Sequence, residues 1–166
     1  CLDEIFKSYP NFKTASLYYP VHNEVSPDIF IKYFERKKIV ISLPVVERFS
    51  NSIVFKEWSH EDKLIKGPLG NMEPLKTKRL IFPQIMVVPL LMFDKCLFRL
   101  GYGGGFYDKS IKKHKKCFKK KEKPFITIGL AHSSQETDLL PHESHDMKLD
   151  FIVTEKELWS KKIISN

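Results

Sequence analysis

Ile85-Met-Val-Val-Pro-Leu-Leu-Met-Phe-Asp-Lys-Cys-Leu-Phe-Arg-Leu-Gly-Tyr-Gly-Gly-Gly-Phe-Tyr-Asp108 joins an apolar run, a turn residue and a glycine cluster. From Ile85 to Phe93 no side chain is polar, the pattern of a strand buried on both faces, and the strand is expected to end near Pro89. Asp94 marks the turn that follows. Four of the chain's seven glycines then fall between Gly101 and Gly105. Clustered glycines let several backbone N–H groups converge on one anion, at an entropic cost that a plain connector would avoid. Phe106 to Ile111 can open a helix, so the loop would deliver that anion to a helix N-terminus, and a phosphate suits such a place best. Arg99 adds a fixed positive fork.

The common phosphate motifs do not fit. No Gly-Lys-Ser/Thr follows a Walker spacer, and a dinucleotide fingerprint would have to run through Gly101, Gly103 and Phe106.

Around this centre, Leu2, Ile5, Phe6 and Tyr9 have helical spacing up to Pro10. Ala15 to Tyr19 reads as a strand, and Ser26-Pro27-Asp28 as a helix start with Ser26 as N-cap. Lys38 to Leu43 reads as a strand ending before Pro44, and Ser52 to Lys56 as another. Lys66 to Phe82 looks irregular. Pro124 to Leu130 is a further apolar strand, followed by a polar loop through His132 and Gln135. Asp150 to Thr154 is the last strand, and Glu155 to Trp159 is expected to be a helix capped by Thr154. Strands alternating with helices predict an α/β fold of three layers, a mostly parallel sheet with helices on both faces and ligands beyond the strands' carboxyl ends.

Composition bounds the function. With 166 residues and 42% hydrophobic content, one domain over residues 1–166 is expected. No apolar run approaches the roughly 20 residues of a membrane span, and the start has no signal peptide, so the expected location is cytoplasmic, with no membrane partner. Cys1, Cys96 and Cys117 form no Cys-x-x-Cys pair and read as free thiols. The net charge of +8 is local: nine lysines and one glutamate lie between Lys109 and Lys123, and the remainder is balanced at 19 against 19. That run has no arginine and little aromatic interleaving, so no nucleic-acid partner is expected. It reads as a solvated helix face or as a patch that attracts polyanionic substrates.

Val88-Pro-Leu-x-x-Phe93-Asp94 followed by Arg99-Leu-Gly-Tyr-Gly-Gly-Gly-Phe-Tyr-Asp108 resembles the signature of the 5-formyltetrahydrofolate cyclo-ligase family. Tyr19-Pro20 with Glu24, Met72-Glu73-Pro74, Gly129-Leu-Ala with Gln135, and Leu140-Pro-x-Glu-x-His-Asp146 follow in the family's order, from about Ala15 to Thr154. The resemblance implies an ATP- and Mg²⁺-dependent closure of 5-formyltetrahydrofolate, with or without a polyglutamate tail, by a monomer. It implies that Arg99, Leu100, Gly101, Tyr102, Gly103, Gly104, Gly105, Phe106 and Tyr107 cradle ATP, with Arg99 and Tyr107 catalytic. Tyr19 and Glu24, with Tyr102, Gly103, Gly104, Gly105 and Phe106, would contact the folate. Asp108 and Asp146 would hold Mg²⁺, since a carboxylate beside a phosphate site repels it unless a cation intervenes. His142 and His145 are treated as loop residues, and Trp58 is a candidate for the site wall that is not assigned to the site.

Three departures stand out: Leu97 occupies a family glycine position, Phe106 replaces the first residue of a Tyr-Tyr pair, and Lys109 replaces an arginine. The family's N-terminal helix with its basic ATP contacts would precede Cys1. A non-catalytic folate- or nucleotide-binding protein of the same fold, or a nucleic-acid-binding module using the lysine run, are the alternative readings.

Overall fold

The computed structural model describes residues 2–47 and 52–160, so Cys1 lies outside the described residues. In chain order the elements are α1 (Leu2–Lys7), β1 (Thr14–Ser16), α2 (Asp28–Arg36), β2 (Val40–Glu47), β3 (Ser52–Glu57), β4 (Leu64–Lys66), β5 (Met72–Pro74) and β6 (Leu80–Ile81), then β7 (Ile85–Val88), β8 (Met92–Asp94), β9 (Arg99–Leu100), α3 (Phe106–Lys120), β10 (Ile126–Leu130), β11 (Glu136–Thr137), β12 (Phe151–Val153) and β13 (Leu158–Ser160). Eight strands form one sheet in the order β13-β12-β10-β7-β1-β2-β3-β6. Its centre, from β12 to β2, is parallel, and β13, β3 and β6 add antiparallel edges.

Strand β7 explains the layering. Ile85 and Val87 enter one core with Leu2, Ile5 and Phe6 of α1 and Phe30 and Phe34 of α2. Met86 and Val88 enter the other with Ile111 of α3. All four are fully buried, because period-two alternation carries them to two covered faces. The three-layer α/β expectation is met. No helix among the described residues is long and apolar enough to cross a membrane.

Five local expectations are corrected. Glu155 to Trp159 is not a helix: Thr154 Oγ1 accepts the N–H groups of Lys156 (3.2 Å) and Glu157 (2.9 Å), a side-chain-made turn that sends β13 back along β12. Strand β2 continues through Pro44 to Glu47. Pro44 lies past Ser42, the last residue paired with β1, where no strand asks for the missing donor; two residues on, the N–H of Val46 goes to Glu73 Oε1 at 3.0 Å. Lys66 to Phe82 carries β5 and β6 and completes a β4–β5 hairpin. Helix α2 is preceded by Pro27 at its N-cap, with no side-chain cap from Ser26. Strand β1 also stops at Ser16, which leaves Tyr18 and Tyr19 in the following loop.

The lysine run is helix α3, with Ser110, Ile111, His114 and Phe118 on its buried face. His114 stacks on Phe82 at 3.9 Å and meets Phe55, Phe118 and Phe125. Its Nδ1 lies 2.8 Å from the Ser110 carbonyl and therefore carries the proton. Burial, and secondarily the Lys113 charge, push its pKa down to about 4 despite that carbonyl. The unfolded chain, with an ordinary value of about 6.5, takes the proton first as pH falls. The stability that neutral His114 contributes is thus full above about pH 6.5 and is lost between there and about pH 4, by about 3 kcal/mol at the limit. Urea unfolding at stepped pH should give a shallower acid loss for H114F than for the wild type; parallel profiles would contradict this.

Candidate active site

The chain reverses direction across the sheet at β1 and β7. From β1 it crosses by α2 to β2 on one side, and from β7 it crosses by α3 to β10 and β12 on the other. Loops at the carboxyl ends of these two central strands face the crevice where ligands bind in open parallel sheets. One carries Tyr18, Tyr19 and Glu24, and the other carries residues 89–105.

The second loop is built around Asp94. Its fully buried carboxylate accepts the backbone N–H groups of Cys96 (2.9 Å), Phe98 (3.0 Å) and Leu140 (3.1 Å). The reversal places Leu97 at φ 67°, in the left-handed region, at the position where the resemblance expects glycine. Its side chain is fully buried in the cluster with Phe93, Leu149 and Ile152. A left-handed non-glycine residue costs about 1–2 kcal/mol, and burying a leucine contributes about 1.5–3 kcal/mol, which offsets it. The β8–β9 hairpin then pairs Phe93 with Arg99.

Arg99 and Asp108 meet across the glycine loop. Arg99 Nη1 and Nη2 each donate to one carboxylate oxygen of Asp108 at 2.9 Å, and the Met147 N–H donates to Oδ1 at 3.0 Å. Burial alone would raise the Asp108 pKa, but the Arg99 hydrogen bonds and charge, with the Met147 N–H, hold it below the ordinary carboxylate range. Arg99 Nε is buried and has no partner among the described residues. The sequence offers Arg99 to a phosphate and Asp108 to a cation; the fold also gives each to the other. Asp146 adjoins Met147, and its Oδ2 accepts the Glu143 N–H at 2.8 Å. The ring of His142 stacks on Phe98 at 3.8 Å. Among the described residues no group of three or more His, Cys, Asp and Glu side chains could hold a metal ion.

Between Arg99 and Asp108 the glycine loop faces open space. Gly103 and Gly105 have φ of +87° and +63°, which side chains rarely adopt, and a Cβ at Gly101, Gly103 or Gly105 would meet nothing within 4 Å. Gly105 is the N-cap of α3 and no side chain caps that helix. The Phe106 ring covers Gly104, where a Cβ would come within 2.5 Å of it. Phe106 and Tyr107 both lean on the second core, while Leu100 and Tyr102 are exposed.

Glu24 reaches this loop from the first one. Burial raises its pKa, and the hydrogen bond from the Val21 N–H (2.9 Å) and the neighbouring Tyr102 hydroxyl partly counter that. Burial first, and then the Glu24 charge, raise the pKa values of Tyr18, Tyr102 and Tyr107. Glu24, Tyr102, Tyr107, Arg99 and Asp108 thus form one neighbourhood from two loops far apart in sequence. Tyr19 lies beside it, on the rim of a cavity of about 540 Å³ whose wall includes Tyr18, Ile31, Leu43, Trp58 and Met72. Tyr18, whose hydroxyl donates to the Val25 carbonyl, was not legible as a site residue, and Trp58, a candidate for the site wall left unassigned, lines the cavity. Aromatic residues just after strands look like core in a sequence, and only the cavity distinguishes them.

Comparison with known proteins agrees with this arrangement. The model of the 5-formyltetrahydrofolate cyclo-ligase family matches residues 5–155. The 5-formyltetrahydrofolate cyclo-ligase of Haemophilus influenzae is 30% identical over 142 residues, covering 82% of this chain and 73% of that one. A 5,10-methenyltetrahydrofolate synthetase structure from Mycoplasma pneumoniae superposes with a TM-score of 0.66 at 26% identity, covering 91% of this chain and 78% of that one. The corresponding Aquifex aeolicus structure gives 0.69 at 28% identity, covering 95% and 77%.

Proposed function

The chain belongs to the 5-formyltetrahydrofolate cyclo-ligase family, and from that membership we propose how its own residues carry out the reaction. It is an ATP-dependent ligase of folate one-carbon metabolism that closes 5-formyltetrahydrofolate to 5,10-methenyltetrahydrofolate, releasing ADP and phosphate. A formamide carbon is a poor electrophile and its oxygen a poor leaving group. Transfer of the γ-phosphoryl group to the formyl oxygen gives an iminium phosphate. The N10 amine attacks the formyl carbon and loses its proton, and the C–O bond breaks to release phosphate. The substrate supplies the nucleophile, so the protein's task is positioning and charge neutralisation.

One observation carries this reading: the uncapped start of α3 follows a glycine loop that faces open space at the sheet's switch point. The stretch from Arg99 to Tyr107 would cradle the phosphates. Arg99, oriented by Asp108, keeps one N–H on each Nη for phosphoryl oxygens, while its Nε is buried. Tyr107, kept protonated by burial, serves as a donor and not as a base at neutral pH. Glu24 would accept N–H groups of the pterin, and Tyr19 and Tyr102, with Gly103 to Phe106, would border the folate.

Asp108, which accepts the Met147 N–H, and Asp146, the residue before Met147 in the chain, would hold Mg²⁺ as hard oxygen donors. Asp108 already gives oxygens to Arg99 and Met147, so Asp146 is the freer ligand, with phosphate oxygens and waters completing the shell. When bound, the ion offsets charge on the phosphates. ADP release should require 5-formyltetrahydrofolate, one ADP per folate in a coupled assay; release indifferent to folate would contradict the reading.

The exposed lysines of α3 suit a polyglutamate tail. Replacing Lys112, Lys113, Lys116 and Lys119 with glutamine, and sparing Lys115, which lies 3.6 Å from Asp150, is expected to leave monoglutamate turnover nearly intact. The KM for a long polyglutamate should rise severalfold, and more at low salt. Equal loss for both substrates would remove steering from the account.

A further inference from the structure

Phe98 lies in the turn between β8 and β9, one residue before Arg99, and is buried although it belongs to neither core. What covers its ring is polar. The imidazole of His142 stacks on it at 3.8 Å, 18° from parallel, and Lys148 Nζ lies over it at 4.7 Å. These two residues flank the turn that carries Asp146. Inside that turn the Asp146 N–H donates to the Glu143 carbonyl at 3.1 Å, and the Glu143 N–H donates to Asp146 Oδ2 at 2.8 Å, so residues 143–146 close on themselves. His145 Nε2 adds a contact 3.8 Å from Asp146 Oδ1. Further out, the Leu140 N–H ends on Asp94 Oδ2 at 3.1 Å and the Leu149 N–H on the Leu97 carbonyl at 2.9 Å. Both ends of the loop are therefore tied to the same β8–β9 turn, and Phe98 is the plate on which both of its shoulders rest.

We infer that Phe98 is a positioning residue for Asp146, setting where that carboxylate stands relative to the Arg99–Asp108 pair. The loop from Pro141 to Asp146 is polar and has little apolar surface of its own to hold it in place. The Met147 N–H on Asp108 fixes it at one point, and the Phe98 ring, continuous in the chain with Arg99, fixes it at two more. Mg²⁺ demands near-octahedral geometry, so a carboxylate free to shift holds it more weakly. The inference rests on the reading of Asp108 and Asp146 as Mg²⁺ ligands.

The test is F98L, with turnover measured at saturating ATP and 5-formyltetrahydrofolate while free Mg²⁺ is varied. The free Mg²⁺ giving half-maximal turnover should rise about tenfold, and excess Mg²⁺ should recover most of the lost turnover. A second readout needs no turnover. With a non-hydrolysable ATP analogue in place of ATP, the free Mg²⁺ at the midpoint of the rise in melting temperature should move by a similar factor. H142A and K148M act from the loop side at exposed positions and leave Phe98 and Arg99 in place. Each should move both midpoints severalfold, and H142A should add little in the F98L background. These two variants decide the question should F98L fail to fold. A lower melting temperature with both midpoints unmoved makes Phe98 a packing residue and overturns the inference. A loss of turnover that excess Mg²⁺ does not recover also overturns it, since the ring would then act through Arg99. A wild type indifferent to Mg²⁺ in both readouts overturns the Mg²⁺ reading of Asp108 and Asp146, and this inference with it.

Discussion

Replacing Arg99 with alanine is expected to lower cyclo-ligase turnover by about 10²–10³-fold and to destabilise the fold by about 3–5 kcal/mol. The two losses have different origins and can be separated. Arg99 and Asp108 side chains are 5% and 13% exposed, so removing the guanidinium strands a buried carboxylate. Removing both partners removes that penalty. R99A/D108A should therefore recover most of the melting temperature lost in R99A while staying inactive, because no positive fork remains at the phosphate loop. R99K keeps the charge but not the two-pronged geometry, and should recover stability in part and turnover little. A double variant with near-normal turnover, or R99A with wild-type kcat, would take the pair out of the mechanism.

Asp94 sets the second large effect. Three backbone N–H groups, from Cys96, Phe98 and Leu140, end on one fully buried carboxylate. In D94A all three lose their acceptor, and the expected destabilisation is about 3–5 kcal/mol in urea unfolding. In D94N the amide oxygen can serve only one side of the turn, and its NH₂ opposes a donor on the other, so D94N should fall between D94A and the wild type. Both variants should lose activity through misplacement of Arg99, five residues on. A D94A protein as stable as the wild type would contradict the role assigned to this turn.

What was legible in the sequence follows from how local each feature is. Strand β7 declared itself because burial on two faces leaves no polar residue at any of its four positions. The helix after the glycine loop was legible from its start and its spacing. The stretch after β12 was misread because Glu155, Lys156, Glu157 and Leu158 are good helix formers, and the decision belongs to the Thr154 hydroxyl and to pairing with β12. Pro44 was misread because whether a strand tolerates proline depends on where its neighbour ends. At the site, residue identities in the glycine loop were legible and their partners were not. Arg99 and Asp108 embrace only because the loop between them folds back, and Glu24 meets Tyr102 only because the topology brings two switch-point loops together. Tyr18 reads as core until a cavity is seen beside it.

The central claim is that this chain uses ATP to close a formylfolate ring. The most direct measurement is the near-ultraviolet absorbance of the conjugated methenyl product after mixing the purified protein with 5-formyltetrahydrofolate and Mg-ATP. Product should appear only with ATP and be absent in R99A/D108A. No methenyl absorbance from folded protein that binds both substrates would contradict it and leave a folate- and nucleotide-binding protein on a cyclo-ligase fold.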